Sequence, residues 1–486
     1  LFSITLILES LMVLKSSFKF FSLFFLSLPF SQENIWENAE DFIQSYFEPE
    51  EFYSADYVQR IRIIPNGNNE NWQQKIRLEN DRFKMGWRID KSSYAEFIQN
   101  RKGYLSVQAN DYNIIIGNAR IQTGNSLLFG SDYNSIKSSG NLLSPGKIRW
   151  KISPYLGSET SSNPGGVFIL KKTSGTNYYM GVEKSAFSSG IYLSGEKLDG
   201  MLVGVLPKEG SLALSLSYHL KNNFVHFSGE TAIKYNEVAQ YFQLFSNSKD
   251  IIWLGQFRLL PNNWETVSGR PATGFGKTSN EKGILISVRK TMNKFTIYGW
   301  ADMYWEVQNE FSFPVRSGDD FLTGFLYRKK GVVTLELKAR RKTIVELFNN
   351  NSIYNLQKNI KYYYTFTMKK MIVLKWKSIQ LKPGNLTGEL IQLQSLKYQK
   401  GKWSGVVGAV YFNTDNWDSR LYLIEPGLKG EFRIQPYFLE GISIYSKVNW
   451  KINDSNSLSF RYSTQRKKEI SEKWKPEMGL QLDIVF

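Results

Sequence analysis

The sequence predicts an all-β protein, and among the all-β architectures it favours a large antiparallel β-barrel that spans a membrane. Three observations lead to this prediction: apolar and polar residues alternate in segment after segment, an export signal precedes them, and the final strand ends in the aromatic residue Phe486. A period of two is typical of strands with one apolar and one polar face. A secreted sandwich or propeller would bury the same apolar faces between sheets, so that architecture is the alternative.

The N-terminal segment has the layout of an export signal. Lys15 and Lys19 form a basic region, and an apolar run follows from 20 to 30. This run of about 11 residues is shorter than the about 20 that a membrane-spanning helix needs, which favours a cleavable signal over an anchor. We predict a signal peptide over residues 1–31 and a translation start at Met12, because Leu1 is an unusual first residue.

Residues 32–55 are predicted to form a separate segment, either periplasmic or a plug, in front of the barrel. Apolar residues recur at helical spacing through WENAEDFIQSYF, which predicts one short amphipathic helix over 34–47 that ends before Pro49. The apolar positions of this segment are Ile35, Trp36, Ala39, Phe42, Ile43 and Tyr46.

The barrel is predicted to fill residues 56–486. In VVTLELKAR the apolar positions alternate with Glu336, Lys338 and Arg340, so three charged side chains share one strand face, and KFTIYGWADMYW alternates in the same way around Asp302. Predicted strands of about 10 to 12 residues exceed the usual globular length of about five or six. At about 18 residues per strand and connection, the chain predicts an up-and-down barrel of about 24 strands, in a range of about 20 to 26.

Individual strand and loop predictions follow from the same alternation. One strand is predicted over 361–376 and another over 418–424. Three long polar inserts, 131–146, 261–282 and 348–359, are predicted to be loops on the outer side of the barrel. The last strand, EMGLQLDIVF, ends in Phe486, and this ending resembles the assembly signal of bacterial outer-membrane barrels.

Composition limits the chemistry. There is no Cys, which excludes disulfides, thiolate metal sites and cysteine nucleophiles. The two His residues, His219 and His226, flank the Asn222-Asn223 turn, and a two-residue loop would place them opposite each other on the polar face. They are weak metal-binding candidates because no third ligand is evident, and the alternative is a pair of solvated residues at a hairpin tip.

The charge balance is basic, with 61 Lys and Arg against 44 Asp and Glu. Two interpretations stay open: a positive lumen that favours anions, or scattered charges that pair with acids inside a solvated pore. The lumen-lining candidates are Lys338, Arg340, Glu336, Lys369, Lys375, Arg461, Lys447, Glu230, Asp302 and Asp483.

Five stretches resemble the barrel part of a family of Bacteroidetes-type outer-membrane proteins that carry an N-terminal helix-hairpin-helix region. They are IIIGNARIQTGNSLLFG (114–130), PGGVFILKKTSG (164–175), LLPNNWETVSG (259–269), GILISVRKTMNKFTIYGWADMYW (283–305) and FNTDNWDSRLYLIEPGLKGEF (412–432). The resemblance implies an outer-membrane barrel. The family's hairpin region is missing from this sequence, which weakens the nucleic-acid role that the hairpins would imply.

The function predicted from these features is passage of a solute through a pore with a polar, net basic lumen in a bacterial outer membrane. The alternatives are a non-conducting scaffold or docking protein for periplasmic or surface partners, and a barrel that handles nucleic acid. No catalytic residue, enzymatic activity or cofactor is predicted. The expected partners are outer-membrane lipid, the barrel assembly machinery and an anionic solute.

Overall fold

The fold is described from a computed structural model. It describes residues 54–485 except 64–69, 80–81, 92–99, 132–148, 157–164, 184–185, 209, 249, 265–267, 271–272, 274–278, 308–314, 330–331, 349–351, 369–371, 383–385, 429–432, 454–455 and 469–470.

The described residues form 29 strands. They are β1 (Ser54–Ile63), β2 (Glu70–Glu79), β3 (Phe83–Lys91), β4 (Asn100–Ala109), β5 (Tyr112–Gly124), β6 (Phe129–Ser131), β7 (Arg149–Pro154), β8 (Gly165–Lys172), β9 (Thr176–Glu183), β10 (Ala186–Ser194), β11 (Leu198–Pro207), β12 (Ala213–Lys221), β13 (Val225–Lys234), β14 (Glu237–Asn247), β15 (Ile251–Leu260), β16 (Ser268–Arg270), β17 (Glu281–Met292), β18 (Phe295–Trp305), β19 (Val315–Lys329), β20 (Val333–Phe348), β21 (Ser352–Met368), β22 (Ile372–Lys382), β23 (Leu386–Lys400), β24 (Trp403–Thr414), β25 (Leu421–Glu425), β26 (Arg433–Tyr437), β27 (Gly441–Lys451), β28 (Ser457–Lys467) and β29 (Ser471–Val485).

A closed antiparallel ring of 24 strands forms the wall of the molecule. Neighbours along the chain pair with one another, with direct steps from β5 to β8, from β15 to β17 and from β24 to β27. The ring closes because β1 pairs with β2 on one side and with β29 on the other. Closure removes every edge strand from the wall, which is how barrels satisfy their backbone hydrogen bonds. The prediction of a large barrel with about 24 strands is therefore confirmed.

The two faces of the wall differ in chemistry. On the outer face, large apolar side chains stand exposed in rows, as at Leu216 (53%), Ile286 (53%) and Leu393 (55%). On the inner face of the same strands, Ser217 and Gln392 are buried. Apolar surface exposed to water carries a free-energy penalty of about 25 cal/mol per Å², so rows of this kind need hydrocarbon around them. The wall is thus a transmembrane barrel, whereas a sandwich would have sealed these rows between sheets.

The two ends of the barrel also differ. Ser54 and Val485 lie at one end, which we call the termini end, and the connections there are two to five residues long. The opposite end, the loop end, carries the long connections 125–164, 261–280 and 415–440. Outer-membrane barrels have short periplasmic turns and longer extracellular loops. Within the described residues, no helix is long and apolar enough to cross a membrane.

Several local predictions need correction. The predicted strand over 361–376 is two strands, because β21 ends at Met368 and β22 begins at Ile372. The predicted loop over 348–359 is mostly strand, because β21 already begins at Ser352 and its polar residues continue the ladder with β20. The strand predicted at 418–424 lies in the β25–β26 hairpin and not in the wall. The predicted helix over 34–47 lies outside the described residues.

Candidate functional site in the barrel lumen

One side of the lumen is filled by a segment that we call the inner arch, residues 119–131 and 149–156. Here the C-terminal part of β5, from Ala119 to Gly124, leaves the wall and pairs with β7. β6 pairs in parallel with β16, which lies in the loop after β15. Leu127, Leu128 and Phe129 in the arch are fully buried against inner-face residues such as Val203 and Ala232. The arch therefore packs on the wall as a second layer with its own apolar core.

Glu230 anchors the inner arch to the wall. Its side chain is fully buried, and it accepts hydrogen bonds from the backbone N–H groups of Asn125 and Leu127 in the arch. It also accepts a bond of 2.7 Å from the hydroxyl of Ser215 on β12. Glu230 lies on the inner face of the wall, and its carboxylate is occupied by the arch and does not line an open path.

Next to the arch, lumen charges pair across neighbouring strands. The Arg258 guanidinium on β15 donates to Glu281 on β17 (Nε–Oε1 2.5 Å) and forms two bonds with Asp302 on β18 (Nη1–Oδ1 2.9 Å, Nη2–Oδ2 3.1 Å). Arg340 on β20 holds Asp320 on β19 in the same bidentate way (Nε–Oδ1 2.8 Å, Nη2–Oδ2 2.5 Å). The candidates Asp302 and Arg340 are therefore members of ion pairs.

Beyond Arg340 the wall turns basic. Lys361 on β21 and Lys375 and Lys377 on β22 point inward, since the outward positions of these strands are taken by residues such as Tyr362, which is exposed on the apolar face. The register places Lys361 opposite Arg340, and Tyr363 lies between Lys338 and Lys377. We call Lys361, Lys375 and Lys377 the lysine patch. None of the three forms an ion pair with an acid in the part of the chain that the structure describes.

Two candidates border the lysine patch without adding free charge to it. Lys338 forms an ion pair with Glu336 on its own strand (Nζ–Oε2 3.2 Å). Glu336 in turn accepts a hydrogen bond of 2.6 Å from the hydroxyl of Tyr298. Lys338 and Glu336 together therefore add no net charge to this part of the lumen.

The β25–β26 hairpin lies against the inner face of the wall near the lysine patch. Leu421, Leu423 and Tyr437 on one face of the hairpin are buried in an apolar cluster with wall residues that include Leu390 and Phe412.

The opposite face of the hairpin, which carries Tyr422, Ile424 and Ile434, is 43%, 57% and 50% exposed. Lys377 of the patch donates a hydrogen bond of 2.6 Å to the backbone carbonyl of Tyr422. The lysines and the exposed apolar face thus form one continuous surface inside the lumen.

Charged groups fix the other edge of the hairpin. Arg433 donates to Glu425 (Nε–Oε2 2.8 Å) and, through two nitrogens, to Glu477 on β29 (2.6 and 2.9 Å). Arg461 on β28 also donates to Glu477. Burial alone would lower the pKa of Arg433, but the hydrogen bonds and charges of Glu477 and Glu425 outweigh burial and raise it. The candidate Arg461 is therefore a buried structural cation.

The two histidines do not face each other as predicted. His226 lies opposite Lys221 and His219 lies opposite Ser228, because the chain reverses at Asn223-Phe224 and not at Asn222-Asn223, and the turn closes with a bond from Asn222 N–H to the Val225 carbonyl. Both side chains keep the inner face, with ring centroids 5.5 Å apart.

Asp199 lies 3.6 Å from His219 Nδ1 but already binds Lys221 at 2.7 Å. The described residues contain no group of three or more His, Asp or Glu side chains arranged to hold a metal ion.

The remaining candidates fall into two groups. Lys447 donates to the Gly427 carbonyl after β25, and Asp483 accepts a bond of 2.8 Å from Gln481, so both support local structure. Lys369 and Phe486 lie outside the described residues. Sequence reasoning found Lys375 but missed Lys361 and Lys377. Lys361, Lys375 and Lys377 all stand at odd positions, so the period of two along β21 and β22 would have placed all three on the same face.

Comparisons with known proteins add little beyond the barrel. No protein-family model matches the chain, and no curated protein matches it. Among solved structures, it is similar to the siderophore receptor PirA from Pseudomonas aeruginosa (9% identity, TM-score 0.43, covering 90% of this chain and 81% of that one).

The copper transporter OprC (8% identity, TM-score 0.46, 90% and 82% covered) and the translocation pore of the P pilus usher PapC (9%, 0.41, 89% and 98%) are similar to the same extent. At these identities and TM-scores, the fold is assigned from the register of the strands and not from the similarity to these structures.

Proposed function

We propose that this protein is a bacterial outer-membrane pore for the passage of anionic solutes. The lysine patch carries this proposal. Arg258, Lys338, Arg340 and Arg461 pair with acids inside the barrel, whereas Lys361, Lys375 and Lys377 form no ion pair with any acid that the structure describes. A lumen lined by unpaired cations raises the local concentration of anions and lowers that of cations. The export signal and the apolar outer face support the outer membrane as its location.

Ion selectivity in a planar bilayer tests this proposal. In a KCl gradient, the reversal potential of the reconstituted protein should indicate a preference for chloride. The triple variant Lys361→Gln, Lys375→Gln, Lys377→Gln should shift the reversal potential toward zero, because the fixed positive charge is lost. The matched control replaces Lys208 and Lys294, which lie in connections at the barrel ends, and should retain the preference. Cation preference in the parent protein would contradict the proposal.

A non-conducting scaffold is the second candidate, and one observation favours it. The inner arch and the β25–β26 hairpin both occupy lumen space, each with an apolar core of its own. Under this alternative, bilayers would stay silent although the barrel folds and inserts. We also propose, from the sequence resemblance alone, that the protein is related to the helix-hairpin-helix barrel family. A nucleic-acid role would require DNA retention that falls steeply with added salt.

A further inference from the structure

The β25–β26 hairpin exposes an apolar face inside the barrel. Its other face is buried against inner-wall residues such as Leu390, so Tyr422, Ile424 and Ile434 stand away from the wall. The register places Ile424 directly opposite Ile434, which makes the face continuous across both strands. No side chain that the structure describes covers this face, since the three residues stay 43%, 57% and 50% exposed. An apolar face in a solvated lumen gains free energy when an apolar group covers it.

Cations adjoin this apolar face. Lys377 of the lysine patch donates its hydrogen bond to the backbone carbonyl of Tyr422, so the patch begins at the strand that bears the face. Arg420 adds a further cation, because its guanidinium carbon lies 4.5 Å from the ring centroid of Trp417 and 5.6 Å from that of Tyr422. Arg420 donates hydrogen bonds to the Trp417 carbonyl (2.7 Å) and to the Tyr422 hydroxyl. Among the described residues, no acid forms an ion pair with Arg420.

The grouping of these cations favours an anion. Arg420 lies near enough to Lys361 for their positive charges to repel each other, and Lys377 has the same relation to Lys361 and Lys375. An anion among these groups attracts all of them, and this attraction is stronger in a partly enclosed lumen than in bulk water. Negative charge is therefore one requirement for a ligand at this place.

The apolar face sets the second requirement, and the strand spacing sets the size of the ligand. Along β25, Ile424 lies about 7 Å beyond Tyr422, at about 3.3 Å per residue. Because Lys377 meets the chain at Tyr422, a ligand that spans this distance can place its charged end on the cations and a hydrocarbon part on Ile424 and Ile434. A skeleton of about two fused rings has this length.

We propose that the lumen holds a binding site for a small amphipathic organic anion. The charged group of this anion lies on the lysine patch and Arg420, and its apolar part covers Tyr422, Ile424 and Ile434. This inference rests on the proposed pore function and deepens it, because it names the class of solute that the pore selects. An inorganic anion uses only the cations and a neutral hydrocarbon uses only the apolar face, so both bind more weakly than a ligand that uses the two together.

Binding of three matched probes tests this site in the full-length protein in lipid nanodiscs. Naphthalenesulfonate has both parts, methanesulfonate has the same anionic group without the rings, and naphthol has the rings without the charge at neutral pH. Equilibrium dialysis, corrected with empty nanodiscs, should show that naphthalenesulfonate binds at least about tenfold more tightly than either of the others, because it alone gains from both parts of the site. Equal affinity for naphthalenesulfonate and methanesulfonate, or for naphthalenesulfonate and naphthol, overturns the proposal.

Two variants locate the binding. Ile424→Asn should reduce the affinity difference between naphthalenesulfonate and methanesulfonate, and Lys361→Gln should weaken the binding of both. The matched control is Ile452→Asn, which changes an exposed Ile in the β27–β28 connection at the termini end and should retain the difference. A loss in Ile452→Asn as large as that in Ile424→Asn would place the binding elsewhere and overturn the proposal. Heat-dependent mobility of the folded barrel controls for failure to assemble, and the probe comparison on the parent protein does not depend on any variant.

Conductance separates this inference from the pore function itself. In planar bilayers, naphthalenesulfonate should reduce the KCl current at concentrations at which methanesulfonate leaves it unchanged, because a solute bound in the lumen slows other ions. Tight and selective binding of naphthalenesulfonate by a protein that carries no current would support the site and contradict the pore. Chloride preference in a protein that binds the two sulfonates equally would leave the pore standing and overturn the site.

Discussion

At the scale of single residues, Arg258 is a buried cation whose charge must be balanced by buried acids. Its guanidinium is 1% exposed and provides the counter-charge for two buried acids, Glu281 and Asp302. A buried ion pair contributes little net stability compared with apolar residues, but removal of one partner leaves uncompensated charge behind. Arg258 therefore matters for stability mainly because its removal would take away the positive charge that balances Glu281 and Asp302.

The Arg258→Met variant should be destabilised by about 3 to 5 kcal/mol, because the buried carboxylates of Glu281 and Asp302 would lose the charge and the hydrogen bonds that the guanidinium supplies. Urea unfolding in detergent micelles or lipid vesicles, followed by tryptophan fluorescence, measures the change. The matched control is Arg341→Met, whose pair with Asp319 is partly exposed and should contribute about 0 to 1 kcal/mol. Equal losses for the two variants would show that the triad around Arg258 is not the dominant electrostatic feature of the wall.

Alternation predicted which side chains of VVTLELKAR face inward, and the structure places Glu336, Lys338 and Arg340 there. It did not predict which of them are neutralised. The acid that pairs with Arg340 is Asp320, on the neighbouring strand, and register across strands depends on turn lengths that one sequence leaves open. The same limit explains His219 and His226, where a turn that lies one residue later than predicted moved the partner by two positions.

At the scale of strands, several contacts place a tyrosine ring over a glycine of the next strand. Tyr298 on β18 lies directly opposite Gly324 on β19, and its ring occupies the space that a side chain at Gly324 would need. Tyr304 covers Gly318 in the same strand pair, and Tyr445 covers Gly408 farther along the wall. Aromatic cover of this kind replaces the side-chain packing that glycine lacks and fixes the register of strand pairs.

The Gly324→Ala variant should therefore destabilise the barrel by about 1 to 3 kcal/mol, since the added methyl group displaces a packed ring. Displacement of Tyr298 would also break its bond to Glu336. The control is Gly255→Ala on β15, where an added Cβ meets no atom within 4 Å, so stability should be retained. Unfolding midpoints in urea compare the two variants, and a loss at Gly255 as large as that at Gly324 would refute the packing argument.

Some strand boundaries could not be predicted from the local sequence. The run from 361 to 376 has no Gly, Asn, Asp or Pro, and Met368 and Met371 continue its apolar character, so the break between β21 and β22 carries no local signal. By contrast, the polar run before Asn359 resembles a loop, yet β20 and β21 continue their ladder through it. In both places pairing with neighbouring strands decides the structure, and this tertiary effect overrides local composition.

At the scale of the whole molecule, the architecture was predictable because it follows from repetition. A period of two over many strands forces one apolar and one polar face, and a sheet of this size with an apolar face must either be covered or surround itself with lipid. The inner arch was not predictable in this way. Its buried residues Leu127, Leu128 and Phe129 form a short apolar run that alternation assigns to neither face, and their partners come from strands distant in sequence.

The orientation of the wall can be tested on a single strand. Leu337 points outward on β20, and Thr334 lies on the opposite face of the same strand. Arginine at Leu337 would enter hydrocarbon and should destabilise the folded barrel in lipid vesicles by about 2 to 4 kcal/mol if it lies near the bilayer midplane. Arginine at Thr334 remains in the solvated lumen and should cost far less. Because the two sites share a strand, differences in strand propensity or assembly cannot account for the contrast. A larger loss at Thr334 than at Leu337 would mean that the apolar rows do not face lipid.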